Sequence, residues 1–359
     1  MSSLGELRLV HPYYHCRHCR SRNRSWQDAL RLGSRRLTAA GEELVALAGL
    51  LSSFGEAAGK TLRKLSGLRL SEPTVRRTTE EAGARLRRML DRQVAFQPPE
   101  TWDWNRDREQ RRCAYVSLDA TGVRQQGPGG SPAEGRMAYV GMIYNPRDRD
   151  DSSPIEDRRY LAGLYDLTDL GRQLHREALS VGWQQADVQV ALSDGAPCLE
   201  KFLQTYFPQA ELILDFYHAA EHLAALAHAL YPREEDYQQA WNGWRRMMKQ
   251  QGGYAVLAEL NKLDQAGWSA EVQETYRRET GYFRNNVGRM DYPRYRANGW
   301  RIGSGPIEAA CKTVVGTRMK GVGMRWKPPA TDSVATLRAA YLSHPKRWDA
   351  LWNASCLQN

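Results

Sequence analysis

The stretch Val-Gln-Val-Ala-Leu-Ser-Asp at 188–194 is a short apolar run that ends on an acidic residue. Its length and its β-branched residues predict a buried strand. The segments on either side of it, 171–181 and 198–207, carry helical patterns. The sequence Glu-Leu-Ile-Leu-Asp at 211–215 predicts a further strand. The centre of the chain is therefore expected to alternate helix and strand.

Three more strands are predicted upstream of the first of these helices. They cover 115–123, 137–144 and 160–167, and a Gly/Pro-rich connection at 126–135 joins the first two. Short strands joined by turn-rich loops favour an antiparallel meander. Three strands followed by helix, strand, helix and strand is the order of the RNase H-like fold. That α/β fold places the first and fourth strands side by side.

Composition divides the rest of the chain into further regions. Residues 1–25 are polar and Arg-rich, and we interpret them as a partial zinc-ribbon-like segment. Residues 26–100 carry helical periodicity and are predicted to be a DNA-binding region with helix-turn-helix character. The RNase H-like catalytic domain is predicted in two parts, 110–218 and 285–359. A helical insertion at 219–284 separates them.

The charge of the chain is unevenly distributed. Its 359 residues include 51 Lys or Arg and 41 Asp or Glu, which gives a net charge of +10. Residues 1–100 hold 18 Lys or Arg, 16 of them Arg, and 10 acidic residues, a local excess of +8. This concentration indicates a polyanionic partner, since Arg binds phosphate in a bidentate manner. A solubilising surface charge is the alternative.

One helix in the basic region is favoured as the element that reads DNA. Ser71 is a plausible N-cap and Pro73 is tolerated in the first helical turn. Arg76 and Arg77 follow within that helix. We therefore predict that these two arginines contact DNA, with solvation of the surface as the alternative for each.

The sequence also bears on the cellular compartment. The longest apolar run, 44–51, is shorter than the roughly 20 residues that a membrane span needs. The N-terminus lacks the pattern of a signal peptide. Six cysteines scattered through the chain are typical of reduced thiols and not of a disulfide framework. A cytoplasmic, nucleoid-associated protein without a membrane partner is expected.

Three carboxylates are candidate metal ligands. Asp119 is expected at the end of the first strand, Asp194 at the end of the fourth, and Glu308 in the first turn of a later helix. Neighbouring strands lie about 4.8 Å apart, so the two aspartates are expected at one edge of the sheet, with the glutamate against them. Clustered carboxylates repel one another unless cations lie between them. Two Mg²⁺ or Mn²⁺ ions would activate the attacking oxygen and stabilise the leaving oxygen of a phosphodiester.

Each of these three residues also has a purely structural interpretation. Asp119 and Asp194 could form turns at strand ends, because Asp-x-x-Gly and Asp-Gly favour turns. Glu308 could stabilise the positive end of its helix dipole or pair with Lys312 one turn later.

Two histidine and cysteine patterns suggest zinc. The sequence His-Ala-Ala-Glu-His at 218–222 fits the H-x-x-E-H pattern of inverted zinc peptidases, but no separate downstream acidic ligand is evident. A packing or supporting role is therefore favoured for His218 and His222. Cys16 and Cys19 have the spacing of half a zinc ribbon, and a complete site needs a second pair. They are an incomplete candidate site for Zn²⁺.

Several longer stretches carry a family resemblance. The sequence resembles the ISKra-type insertion-sequence transposases, which are bacterial DDE enzymes, over nearly the whole chain. The stretches that carry this resemblance are 13–20, 70–80, 191–196, 215–222, 302–312 and 318–326.

The resemblance implies a set of residue roles. Asp119, Asp194 and Glu308 would be the metal-binding triad, and Asp215 and His218 would match a D-x-x-H element that supports it. Members of this family usually begin earlier, with a first Cys pair that completes the zinc ribbon. The chain is therefore expected to be N-terminally truncated relative to them.

The implied activity is Mg²⁺-dependent cleavage and strand transfer at transposon ends. Water attacks first, and the freed 3′-hydroxyl then attacks target DNA. The implied partners are the terminal inverted repeats, the target DNA and further copies of the chain on that DNA. Four basic residues are predicted to clamp phosphates near the active site, with surface solvation as the alternative. They are Lys312, Arg318, Lys320 and Arg325.

Two other functions remain open at this stage. The chain could be a non-catalytic DNA-binding derivative, a domesticated or truncated transposase that represses. It could also be a cellular RNase H-like nuclease such as a junction resolvase. If the transposase interpretation holds, His218→Ala is expected to impair cleavage more than His222→Ala.

Overall fold

A computed structural model describes most of the chain. Of the predicted segment 1–25, only six residues belong to that part. No helix among the described residues is long and apolar enough to cross a membrane. The described ranges are 15–20, 37–94, 99–146, 157–344 and 347–353.

A five-stranded mixed sheet forms the centre of the fold. Its strand order is β3-β2-β1-β4-β5, with β1, β2 and β3 antiparallel and with β4 and β5 parallel to β1. The predicted α/β class is confirmed, and the first and fourth strands pair as expected. The strands are β1 (Cys113–Gln126), β2 (Pro132–Tyr144), β3 (Arg158–Gly163), β4 (Val188–Ser193) and β5 (Glu211–Leu214).

Strand β1 is longer than its sequence pattern predicts. The parallel pairing of β1 with β4 ends at Ser117, whereas the antiparallel pairing with β2 continues to Gln126. Asp119 therefore lies within β1, opposite Val140 of β2. The prediction that Asp119 ends the first strand is wrong, because β1 and β2 extend as a hairpin beyond the edge of β4. Asp119 nevertheless follows the last β1–β4 pair by two residues.

Three helices precede the sheet. The third begins directly after Ser71 and has Pro73 in its first turn, as predicted. The helices are α1 (Ala39–Leu51), α2 (Phe54–Glu56, continued by a π-helical stretch Ala57–Thr61 and by Leu62–Ser66) and α3 (Glu72–Asp91).

The remaining helices lie between and after the later strands. Residues 219–284 are mainly helical, as their composition predicts. The helices are α4 (Leu167–Ser180), α5 (Pro197–Tyr206), α6 (Phe216–Leu230), α7 (Glu234–Gln251), α8 (Gly253–Leu260), α9 (Ala270–Asn286), α10 (Tyr292–Ala297), α11 (Gly305–Ala310, continued by a π-helical stretch Cys311–Gly316 and by Thr317–Met319), α12 (Pro328–Leu342) and α13 (Arg347–Trp352).

The N-terminal helices share their core with the sheet through helix α12. Helices α3 and α12 pack closely at Gly83, where a β-carbon would lie 2.1 Å from the carbonyl oxygen of Ser333. An ion pair of 2.6 Å joins Arg87 of α3 to Asp332 of α12. A fragment without α1–α3 would therefore expose one face of α12, so DNA binding is best tested on the full chain.

Candidate functional site

The three candidate metal ligands come from three different elements. Asp119 lies on β1, Asp194 directly follows β4, and Glu308 lies in the first turn of α11. Burial raises the pKa of Asp119, hydrogen bonds from Ala120 and Cys311 lower it, and the charges of Asp194 and Glu308 raise it further. The net result is a raised pKa. Asp194 and Glu308 therefore each lie within electrostatic reach of Asp119.

Local hydrogen bonds hold two of these carboxylates. The Oδ1 atom of Asp119 accepts a hydrogen bond from the backbone N–H of Ala120 at 2.6 Å, and its Oδ2 lies 3.5 Å from the thiol of Cys311. Asp194 Oδ1 accepts a hydrogen bond from the backbone N–H of Ala196 at 2.9 Å. Among the described residues, no three His, Cys, Asp or Glu side chains converge as a preformed metal site.

Asp215 connects the end of strand β5 to Ser304, the residue that precedes the helix of Glu308. It is buried, and its Oδ1 caps α6 by accepting hydrogen bonds from the backbone N–H groups of Tyr217 and His218. Its Oδ2 accepts a hydrogen bond from the backbone N–H of Ser304 at 2.9 Å. The hydroxyl of Ser304 lies 2.6 Å from Glu308 Oε1. Asp215 therefore helps to position Glu308 through Ser304.

The two histidines of the H-x-x-E-H pattern have different surroundings. The Nδ1 atom of His218 lies 3.4 Å from Glu221 Oε2, and the Glu221 side chain is 77% exposed. His222 Nδ1 lies 2.5 Å from Oε2 of the buried Glu279, and its ring stacks on Tyr282 at 3.6 Å. The two histidines therefore have separate carboxylate partners, and only the partner of His222 is buried.

Tyr282 links the pair of His222 and Glu279 to Asp194 at the end of β4. The hydroxyl of Tyr282 donates a hydrogen bond to the backbone carbonyl of Asp194 at 3.3 Å. The next residue, Gly195, has a φ of +92°, and a β-carbon there would lie 2.6 Å from Leu214 Cδ1. Helix α9 therefore helps to hold the turn that carries Asp194.

We expect His222→Ala to lower the free energy of unfolding at pH 7 by about 1 to 2 kcal/mol, because it removes one of the two hydrogen-bond partners of the buried Glu279 and the ring that stacks on Tyr282. Burial raises the pKa of Glu279, but hydrogen bonds from His222 and Arg278 outweigh it and hold the pKa below its usual range. A lowered folded-state pKa stabilises the fold above the ordinary glutamate pKa, and this contribution is lost as the pH falls through the folded value. Urea unfolding at pH 7 and pH 4 measures the effect.

The matched control is His218→Ala, because the partner of His218 is exposed. It should change the free energy of unfolding by less than about 0.5 kcal/mol. Equal losses for the two variants at pH 7 would contradict the assignment of Glu279 as the buried partner of His222.

Several of these supporting residues were not predicted from the sequence. Ser304 precedes Glu308 by four residues at a helix start, a spacing that could have indicated their contact. Glu279 and Tyr282 lie more than fifty residues from His222 in sequence, and no local pattern indicates their contacts with it. Cys311 follows Glu308 by one helical turn and reaches Asp119 only through tertiary packing.

The predicted DNA-contacting residues fall into two groups in space. Arg76 and Arg77 of α3 line the same cavity of about 570 Å³ as Arg318 and Arg325. We call this cavity the basic cavity. The other two lie elsewhere. The Nζ atom of Lys320 contacts the hydroxyl of Thr121, two residues beyond Asp119 on β1, and Lys312 is exposed on the π-helical stretch after α11.

The candidate zinc cysteines form a local turn. Cys16 and Cys19 are both exposed, and the backbone N–H of Cys19 lies 3.5 Å from the sulfur of Cys16. The other residues of the predicted segment 1–25, namely 1–14 and 21–25, lie outside the described part of the chain.

No model of a known protein family matches the chain, and no curated protein matches its sequence.

Proposed function

We propose that the protein is a DDE transposase of the ISKra type, whose RNase H-like domain performs metal-dependent cleavage and strand transfer of DNA. One observation carries the proposal. Asp119 and Asp194 lie on or just after the adjacent parallel strands β1 and β4, and Glu308 comes within electrostatic reach of Asp119 from α11. The strand order β3-β2-β1-β4-β5 supports the RNase H-like assignment.

The donor set fits a hard divalent cation. Asp119, Asp194 and Glu308 would hold it, since carboxylate oxygens are the ligands that Mg²⁺ and Mn²⁺ prefer. The raised pKa of Asp119 reflects its burial and the nearby negative charges, and a cation relieves that repulsion. When bound, Mg²⁺ supplies Lewis-acid activation of the attacking oxygen and charge stabilisation of the leaving oxygen.

The surrounding residues position the carboxylates and the DNA. Asp215 and Ser304 orient Glu308, and Tyr282 holds the backbone at Asp194. Lys320 lies beside Thr121, where its ammonium group would bind a phosphate close to Asp119. The candidate carboxylates are thus held in place by neighbouring residues, and the ammonium group of Lys320 lies beside Thr121, close to Asp119.

We expect the double variant Arg76→Ala/Arg77→Ala to weaken DNA binding by about tenfold or more at moderate salt. It should also reduce the slope of log affinity against log salt by about two, because each phosphate contact releases about one counterion. Both arginines are exposed at the basic cavity. Fluorescence anisotropy of the full chain on labelled duplex DNA at several salt concentrations measures both quantities.

The matched control is Arg233→Ala/Arg246→Ala, which removes the same charge. Arg233 directly precedes α7, Arg246 lies within it, and neither lines the cavity. An equal change of slope in both double variants would mean that net charge alone governs binding.

The proposed function is tested directly with the full chain and labelled DNA from both flanks of its coding region. Wild-type protein is expected to nick these fragments in Mg²⁺ or Mn²⁺, to leave 3′-hydroxyl ends, and to join those ends to a target plasmid. Reactions with EDTA should show binding without cleavage. Specific binding without cleavage in either metal would instead indicate the non-catalytic DNA-binding derivative.

A further inference from the structure

The basic cavity has a buried arginine in its wall. Arg318 is 4% exposed, and its guanidinium packs over the rings of Phe54 at 4.4 Å and Trp326 at 4.9 Å. Its Nε donates a hydrogen bond to the carbonyl of Gly49 at 2.8 Å. The cavity opens between the start of α3 and the segment 318–330.

One donor of this arginine is unsatisfied. Arg318 Nη2 is buried and has no hydrogen-bond partner among the described residues. Burial and the charge of Arg338 lower the pKa of Arg318 to about 10, which leaves it a cation at neutral pH. A buried donor without a partner is costly. Arg318 therefore contributes a positive charge to the wall of the cavity.

The cavity also contains a carboxylate. Glu80 is half-buried in its wall, and its charge interacts with Arg76 and Lys327. A bare phosphate would be repelled by Glu80, whereas a ligand with both a phosphate and an N–H donor would use the cations and the carboxylate together. A nucleotide whose base carries an exocyclic amino group has this combination.

We propose that this cavity binds one unpaired nucleotide of DNA. Its phosphate would bind the exposed arginines that line the cavity, Arg76, Arg77 and Arg325, and its base amino group would bind Glu80. The proposal rests on the proposed DNA-processing function. The cavity volume of about 570 Å³ is within the usual range for a small-ligand site. Carboxylates accept hydrogen bonds from the N4 amino group of cytosine, and enzymes hold unpaired bases in such pockets.

The position of the cavity relates the nucleotide to the cleavage site. Gln126 lines the cavity and lies on β1, the same strand as Asp119. Seven strand residues span roughly 23 Å at about 3.3 Å per residue. Gln126 at the cavity and Asp119 are therefore separated by no more than roughly 23 Å along β1.

Anisotropy of the full chain in EDTA tests the proposal without any cleavage. The probes are one labelled duplex with a single unpaired dC, with a single unpaired dT, or with an unpaired abasic residue. Wild-type protein is expected to bind the dC duplex about tenfold more tightly than the abasic duplex, and several-fold more tightly than the dT duplex. Glu80→Gln should remove the preference for dC over dT, because an amide can both donate and accept.

The control variant is Glu271→Gln, an exposed glutamate in the first turn of α9, which should keep the preference. Thermal unfolding of Glu80→Gln establishes that the variant is folded. Equal wild-type affinity for the dC and abasic duplexes would overturn the nucleotide pocket, even if DNA binding and metal-dependent cleavage are intact. If wild-type protein bound none of the three duplexes, the proposed function would be overturned as well.

Discussion

Asp119→Asn, Asp194→Asn and Glu308→Gln are each expected to reduce Mg²⁺-dependent cleavage by about a thousandfold, because each removes a charged oxygen ligand from the proposed metal site. DNA affinity should change by less than about twofold, since the arginines that line the basic cavity are untouched. Cleavage of labelled flanking DNA and anisotropy in EDTA measure the two effects separately.

The stability of Asp119→Asn separates a catalytic loss from misfolding. Burial raises the pKa of Asp119, hydrogen bonds from Ala120 and Cys311 lower it, and nearby carboxylates raise it, with a net upward shift. A raised pKa means that the ionised carboxylate destabilises the fold above that pKa. The neutral amide should therefore leave the melting temperature at pH 7 unchanged or higher while cleavage is lost.

The matched control for the triad is Asp264→Asn. Asp264 is exposed and accepts a hydrogen bond from the backbone N–H of Ala266, as Asp194 does from Ala196. Its replacement should leave cleavage at the wild-type rate. If one triad variant keeps near-normal cleavage, that residue is not a metal ligand.

Gly83→Ala is expected to cost more than about 3 kcal/mol of the free energy of unfolding, because the contact of α3 with α12 leaves no room for a side chain. A β-carbon at this position would lie 2.1 Å from the carbonyl oxygen and 2.9 Å from the Cα of Ser333. Both atoms belong to backbone, which cannot move aside as a flexible side chain can. Urea unfolding of the full chain at pH 7 measures the loss.

Gly243→Ala is the matched control, since Gly243 lies within helix α7 and a β-carbon there meets nothing within 4 Å. This substitution should raise the free energy of unfolding by up to about 1 kcal/mol through helix propensity alone. Similar effects of the two substitutions would show that α3 and α12 do not pack as closely as the structure describes.

The local elements follow from local sequence. The apolar run at 188–193 forms a strand, and Asp194 follows it directly, as its position predicts. The run at 211–214 likewise places Asp215 at the start of a helix. Such elements could be predicted because side-chain periodicity and turn residues act over a few neighbours. The order of the strands and helices then restricts the topology to few alternatives.

The full length of β1 could not be predicted from the residues of the strand itself. The pattern at 115–123 predicts a strand, but the pairing with β2 continues it to Gln126 and places Asp119 inside it. The extent of a strand depends on whether a partner supplies hydrogen bonds, and that partner is brought by the hairpin. The tertiary structure therefore decided that Asp119 lies inside a strand and not at its end.

The contacts around the candidate carboxylates and the basic cavity also depend on distant parts of the chain. No local pattern links Arg76 to Arg318, yet the packed fold brings α3 and the end of α11 to one cavity, where Arg318 hydrogen-bonds to the carbonyl of Gly49 in α1. His222 and Glu279 likewise meet because α6 and α9 pack together. The sequence by itself determined the elements and their acidic and basic residues. The tertiary structure decided which of those residues meet, because side-chain contacts between distant segments exist only once the core is packed.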